Sequence, residues 1–414
     1  MPESAEDRRV VVIGAGAAGL LAALFAGRGG RSVLLLERTA DGGRKILISG
    51  GGRCNILPSR EEPERFVTGS SGNMLRRILR SWPLAEQRAF LERELGMPLV
   101  LEPESGKLFP RSQRARDVRD RLVARVREAG VSLRFGAIVT GLRPPASPKE
   151  CWAVEIAGAT AVEAASVVVA TGGLSVPATG SDGTGLAIAR ALGHEVHSPY
   201  PALTPLVADP PVHAHLAGIS LEVTLRAPGA RPPFTTTGGF LFTHRGYSGP
   251  AVLDASHLAV RSRANGGAPR PITVQWTSWD RPAWDRALIE GRGHVGALVG
   301  RRMPSRLASQ LLNEAGVPSD RSAAQLDRDA RRRLVTLLVE YPLPWTGDEG
   351  FKKAEVTGGG VALAEIDPKT MESRRHAGLH LCGEMLDAFG PIGGHNFQWA
   401  WTTGRAAGIA AAAR

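Results

Sequence analysis

The sequence predicts an α/β fold in which a doubly wound, dinucleotide-binding domain is interrupted by an antiparallel β domain and a small helical domain. Three observations predict it. A short apolar run, Val10 to Ile13, enters Gly14-Ala15-Gly16-Ala17-Ala18-Gly19 and then a helical stretch. A second apolar run, Ser166 to Val169, also leads to a glycine turn, Gly172-Gly173, the place where a doubly wound sheet meets its ligand. Glycine-rich character then fades near Pro199 and returns after Pro342-Leu343-Pro344, in Thr357 to Val361 and Cys382-Gly383-Glu384, as if the first domain were completed late in the chain.

Each element follows in order. Gly14 suits a tight turn, Gly16 lets backbone approach a diphosphate, and Gly19 lets the helix Ala17 to Ala26 pack closely on its strand. After Gly29-Gly30 a strand from Ser32 to Leu36 ends on Glu37, 23 residues beyond Gly14, where a carboxylate takes a ribose 2′-hydroxyl. An unphosphorylated adenine dinucleotide is therefore expected. Gly291-Arg292-Gly293-His294-Val295-Gly296 has the same glycine spacing, but no apolar strand precedes it, so it is set aside. Residues 42 to 55 carry too many glycines for a helix or strand and read as a loop; Arg44, Lys45 and Arg53 add positive charge beside free N–H donors. Helices are expected over Asn73 to Arg80, Pro83 to Leu95 and Ala115 to Ala129, the last with its arginines mostly on a solvated face. A strand over Ser132 to Phe135 and a β-rich stretch over Ile138 to Ile156 lead to the second glycine turn. The domain boundaries that result are 1–198 with 350–414, then 199–280 for the β-rich insertion and 281–349 for the helical one. Ile219 to Leu225 and Phe240 to Thr243 supply strands, and Trp284 to Val299, Arg306 to Ala315 and Ala323 to Glu340 supply helices.

At 414 residues the chain exceeds one ordinary core. Its charge of +11 comes from 45 Arg and 6 Lys, a bias that fits an anionic partner and fits genome composition equally. Cys54, Cys151 and Cys382 are widely spaced, which excludes a thiol–disulfide reductase and a zinc cluster, so no metal is expected and a reducing cytoplasm fits. Val10 to Gly27 is an uncharged run of 18 residues, but its glycine turn and strand–helix break exclude a membrane span or signal sequence.

Together these motifs resemble the BaiN/RdsA family of FAD-binding flavoproteins, also described as aminoacetone-oxidase-like, NAD(P)/FAD-dependent oxidoreductases. The resemblance spans nearly the whole chain. It rests on the first glycine turn, on Gly43-Arg44-Lys45 through Ser49-Gly50-Gly51-Gly52-Arg53-Cys54-Asn55, and on Ala170-Thr171-Gly172-Gly173-Leu174-Ser175-Val176-Pro177. Phe242-Thr243-His244 with Ser248-Gly249-Pro250, Cys382 to Asp387 and Gly393 to Trp399 complete it. The sequence departs from the family at Ser181-Asp182-Gly183 and at His395, where an aromatic is usual. The resemblance implies a Rossmann-like FAD-binding domain of glutathione-reductase type and non-covalent FAD. Gly14, Gly16 and Gly19 would meet the diphosphate and Glu37 the adenosine ribose, with Ala15, Ala17, Ala18, Arg38 and Val139 also expected to bind the cofactor. Arg44, Lys45, Ser49, Gly52 and Asn55 would lie along the flavin side, with Gly51, Arg53, Ala170, Thr171 and Gly172 also expected to bind the cofactor. Gly383, Glu384, Asp387, Gly394, Asn396 and Gln398 would close over the ribityl chain and ring.

A flavin does the redox work, so the protein need add only orientation and a proton. Cys54, His244 with Tyr247, and His395 are the candidate donors, each with a plain packing or hydrogen-bonding role as its alternative. The resemblance implies NAD(P)H-driven reduction of an electron-poor double bond, such as a ribosomal RNA uridine to dihydrouridine or a small enone. Its alternatives are oxidation of aminoacetone or another small amine with O₂, and a flavin-containing RNA-binding protein without turnover. For an RNA substrate, Arg301, Arg302 and Arg306 and the run Arg331, Arg332 and Arg333 are the expected phosphate contacts.

Overall fold

The computed structural model describes residues 9–147, 150–264 and 267–414, and the chain forms two compact units, Met1–Tyr200 with Glu355–Arg414 and Pro201–Ala354. The first unit is built on a five-stranded parallel sheet. Its strands lie in the order Leu379–Leu381, Ser166–Val169, Val10–Ile13, Val33–Glu37 and Ser132–Phe135. Val12 stands between Val168 and Leu35, so the central strands are nearly pure valine, leucine and isoleucine, as a sheet covered on both faces requires.

One cover is the helix Ala17–Arg28, which is buried almost all round and therefore shows no clean polar stripe. The other side of that helix is taken by the late helix His395–Ala413. Gly404 and Gly408 make the approach possible: a Cβ on them would lie 2.3 Å from the Ala18 carbonyl oxygen and 2.2 Å from that of Ala22. Two small antiparallel sheets complete this unit, one of Leu57–Pro58, Lys107–Pro110 and Leu99–Glu102, the other a meander of Val139–Arg143, Trp152–Ile156 and Val162–Ala164.

The second unit centres on a seven-stranded antiparallel sheet whose long hairpin pairs Ser220–Ala227 with Phe234–Phe242. Alternation along Ser220–Ala227 buries Val223, Leu225 and Ala227 on one face. Phe240, Phe242, Tyr247 and Trp276 from the sheet join Leu311, Leu334 and Leu338 from helices Ser305–Ala315 and Arg328–Val339 in one hydrophobic core. The β-rich and helical stretches are thus one packed body.

Local expectations need three corrections. Residues 42–55 are not all loop: Arg44–Ile48 forms a helical turn, because Arg-Lys-Ile-Leu-Ile is free of glycine, and the left-handed backbone lies on either side of it, at Gly42 and Gly43 and at Gly50 to Gly52. The helix expected over Trp284 to Val299 is two helices, Arg281–Glu290 and Val295–Gly300, broken where Gly291 and Gly293 remove helix propensity. The last helix of that set begins at Arg328 instead of Ala323, because the Asp327 carboxylate accepts the Ala330 N–H at 2.8 Å and caps it there. Among the described residues no helix is long and apolar enough to cross a membrane.

Candidate functional site

The carboxyl ends of three adjacent strands, Val10–Ile13, Ser166–Val169 and the edge strand Leu379–Leu381, converge at Gly14, Ala170 and Cys382. Gly14 has φ +100°, and a Cβ there would stand 2.6 Å from the Ala170 carbonyl oxygen, so only glycine makes this turn. Gly16 is different. No atom lies within 4 Å of where its Cβ would be, and it caps the helix Ala17–Arg28 without any side-chain hydrogen bond. Backbone N–H groups of the first turn therefore face open space at the positive end of a long helix, the arrangement that receives a diphosphate. Gly19 packs the turn, its would-be Cβ 1.8 Å from the Gly14 oxygen.

Glu37 closes the turn from the side. Its Oε2 accepts the Ala15 N–H at 2.7 Å, and its Oε1 accepts both the backbone N–H and the hydroxyl of Thr39 at 2.7 Å. Oε2 holds one bond only, which leaves it a lone pair for a ribose hydroxyl. Thr39 is a site residue that the motifs do not name; its position two places after Glu37 is the available signal. Arg38 pairs with Asp182, and the same carboxylate caps Thr184 at 2.7 Å, so the loop that departs from the family is tied to the adenosine side. Val139 is buried in the neighbouring meander.

The glycine-rich segment presents open backbone at Gly51 and Gly52, with nothing within 4 Å of their would-be Cβ positions. Its charged residues part company. Arg44 bonds Asp41 at 2.8 Å and holds that carboxyl below its usual range. Arg53 lies over the Phe109 ring at 4.1 Å and bonds Glu102 at 3.0 Å, facing away from the turn. Lys45 pairs with Glu384 and donates to the Ser175 hydroxyl at 2.6 Å. Ser49 donates to the Ile46 carbonyl at 2.7 Å.

Glu384 is heavily committed: Oε1 also accepts from Ser175 Oγ at 2.5 Å, Thr357 Oγ1 at 2.9 Å and Thr357 N at 3.0 Å. Asp387 is committed too, its Oδ2 taking the Gly69 N–H at 2.9 Å, Ser70 Oγ at 2.9 Å and His197 Nδ1 at 2.8 Å. Asn396 exchanges two 2.9 Å hydrogen bonds with the backbone of Gly390. Ser175, Thr357 and His197 are thus polar residues at the site to which the motifs assign no role. Ser175 sits inside those motifs and Thr357 at the head of the late glycine-rich stretch, whereas nothing near His197 in the sequence marks it.

Among the described residues, four buried polar atoms here have no hydrogen-bond partner of good geometry: Asn55 Oδ1, Thr171 Oγ1, His395 Nδ1 and Gln398 Oε1, the last two interacting only weakly with each other. Such groups demand a partner. All four belong to the segments that the motifs single out, and with the open turn at Gly16 they fit a bound dinucleotide. Gly172, at φ +73°, Gly383, packed on Ala18, and Gly394, packed on Leu57, supply the close backbone approaches between these segments. Asn55, Thr171 and Gln398 are left as the expected contacts that still need a partner.

The expected proton donors are the main correction. Cys54 is 0% exposed, at φ +61°, and burial pushes its thiol up to about 12, so it holds its proton tightly. Tyr247 is likewise 0% exposed; it donates to the Pro344 carbonyl and bonds His213 at 2.9 Å, and burial pushes its hydroxyl far above the usual range. His395 is buried beside Phe66, and burial pushes it down to about 4, so it is neutral near pH 7. His244 is exposed on the turn after Phe242, in the second unit. The arginine runs are only partly free: Arg302 stacks on Trp279 at 3.9 Å, Arg306 bonds the His215 carbonyl at 3.0 Å, Arg331 meets Asp285 at 3.4 Å and Arg333 the Ala315 carbonyl at 3.2 Å. Among the described residues no cluster of three metal-ligating side chains is found.

The family model for the HI0933-like protein Rossmann domain matches residues 8–410. The chain is 31% identical over 400 residues to a ribosomal RNA dihydrouridine synthase of Escherichia coli (strain K12), covering 95% of each. It is 30% identical over 415 residues to a 3-dehydro-bile acid delta(4,6)-reductase of Clostridium scindens, covering 98% of this chain and 99% of the relative. The solved 3-ketosteroid-delta4-(5alpha)-dehydrogenase from Rhodococcus jostii RHA1 aligns with a TM-score of 0.54 at 17% identity, over 98% of this chain and 97% of that one, which is a likeness of fold.

Proposed function

The chain belongs to the HI0933-like Rossmann family of FAD-dependent oxidoreductases, and from that premise we propose that it reduces a carbon–carbon double bond conjugated to a carbonyl, with NAD(P)H as the transient reductant and a ribosomal RNA uridine as the substrate. The observation that carries this reading is full-length similarity to proteins named ribosomal RNA dihydrouridine synthase, at 31% and 30% identity over 95% and 96% of the chain. The formal charge of +11 supports an anionic substrate. The similarity to a bile acid reductase supports the small-molecule version of the same chemistry. Both substrates have a C=C bond in conjugation with C=O, and both reductions add two electrons and two protons across it while NAD(P)H is oxidised.

FAD, when bound, supplies the hydride-transfer chemistry. The chain's own residues hold it. The open first turn at Gly16 takes the diphosphate, Glu37 Oε2 takes the adenosine ribose, and the orphaned oxygens of Asn55, Thr171 and Gln398 gain partners. Gly51 and Gly52 give backbone N–H groups with no side chain in the way. Cys54, fully buried, is a poor proton source, and His244 is exposed on its own turn; a base must be turned out of its stack to be reduced.

The test is anaerobic reduction of the purified protein by NADH or NADPH, followed by precursor ribosomal RNA, with dihydrouridine measured in the digest. RNA of a deletion strain should lack that dihydrouridine. Turnover of aminoacetone with O₂ and none of RNA would replace this reading with the oxidase. Acid precipitation should release the flavin as FAD, since the open segment Gly51–Gly52 carries no nucleophile for a covalent link; flavin retained in the pellet would contradict that.

A further inference from the structure

Lys45 and Glu384 form an ion pair about one-fifth to one-quarter exposed, at 25% and 19% for the two side chains. The pair is built from both ends of the chain and stands at the carboxyl edge of the sheet. Gly383, its neighbour, packs on Ala18 in the first turn of the phosphate-facing helix, and Glu384 Oε2 lies 3.9 Å from where a Cβ on Gly172 would be. Thr357 Oγ1 accepts the N–H groups of Leu174 and Ser175 at 2.7 and 3.0 Å, so its own proton goes to Glu384. Ser175 Oγ accepts from Lys45 and gives its proton to the same carboxylate oxygen. Glu384 therefore accepts four hydrogen bonds from the protein, three on Oε1 and, on Oε2, the one from Lys45. Lys45 has two of its three N–H bonds committed, and its third is available. The chain is held in an unusual shape to keep this arrangement: Val176, beside Ser175, adopts φ +46°, which β-branched residues rarely do.

We propose that the two charges of the Lys45–Glu384 pair cancel at the bound flavin, so that Glu384 acts as a charge-balancing and positioning residue that keeps Lys45 alone from raising the flavin's redox potential. Reduction of FAD to its anionic two-electron form takes up two electrons and one proton, which arrive as the hydride of NAD(P)H, and leaves one added negative charge. A neutral ion pair at the site influences that charge little. Either partner alone influences it strongly, and the two do so with opposite sign.

The proposal rests on the FAD reading, and its test separates the two. The midpoint potential of FAD on the holoenzyme is measured against a reference dye, and FAD affinity by fluorescence, for Lys45→Met, Glu384→Gln and the double variant. Lys45→Met should shift the enzyme–dye equilibrium toward oxidised flavin and Glu384→Gln toward reduced flavin, each on the order of tenfold, the scale of one unit charge at about 10 Å in an effective dielectric of about 20. The double variant should return near the parent value, and Lys45→Arg should keep it. Single variants that shift the potential in the same direction, or that weaken FAD binding with the potential unchanged, would overturn the proposal. If Glu384→Gln fails to fold, Lys45→Met and Lys45→Arg decide the matter. A parent protein that takes up no FAD would instead refute the cofactor reading.

Discussion

Glu37 shows how one side chain serves two purposes: it ties Ala15 and Thr39 together, and it keeps one lone pair of Oε2 for a ligand. Glu37→Ala should weaken FAD binding by roughly 1.5–3 kcal/mol, the range for a hydrogen bond to a charged group, read by fluorescence titration. An unchanged affinity would mean that the ribose lies elsewhere. His395 and His257 make a pH prediction of fixed sign. Burial lowers both from 6.5 to about 4, so in the folded protein they stay neutral while the unfolded chain takes up protons. Stability is then complete above pH 6.5 and falls as the pH drops toward 4, by on the order of 3 kcal/mol for each group. Urea midpoints at pH 7.5 and 5 check it, and His395→Gln should flatten the difference; a flat parent curve would refute it. At this scale the sequence is legible where a residue type has a single use, as at Gly14, Gly16 and Glu37. It is illegible for Cys54, because a thiol in a glycine loop looks accessible until packing shows that it is not.

Elements are legible where periodicity and breakers agree. The strands Val10–Ile13, Val33–Glu37 and Ser166–Val169 announce themselves as unbroken apolar runs, and Ser132–Phe135 takes its expected bounds as the edge of the same sheet. Arg44–Ile48 escapes a reading by pattern because five residues between glycines carry too little periodicity, and helix there depends on Gly43 and Ser49 setting its ends. The pairing of helix Ala17–Arg28 with His395–Ala413 escapes it for another reason: it depends on two glycines far along the chain whose role is to lack a side chain. Gly408→Val should cost more than the ~1–3 kcal/mol of ordinary overpacking, because the clash is with backbone at Ala22 and not with a movable side chain. Thermal denaturation with and without added FAD reads this, and an undiminished melting temperature would show that the two helices can separate freely.

For the whole molecule, the two units divide the chemistry: the dinucleotide turn and the Lys45–Glu384 pair lie in the first, His244 and both arginine runs in the second. Since Arg302, Arg306, Arg331 and Arg333 are already engaged, Arg301 and Arg332, the latter paired with Asp329 at 3.7 Å only across an exposed surface, are the better test of RNA binding. Replacing both with Gln should weaken RNA affinity at low salt and reduce the slope of log affinity against log salt by up to about 2, near one for each phosphate that is no longer neutralised. A slope unchanged from the parent would put the footprint elsewhere. The close packing of Ala18 on Gly404 has a consequence for biosynthesis. The ribosome adds Ala18 to the chain 386 residues before Gly404, and all of the second unit is synthesised in between. Through that interval the nascent chain offers an apolar helix and an unfinished sheet edge to chaperones. Flavin uptake is thereby a late event: chains stalled before residue 395 should carry none, and released full-length chains should load at once.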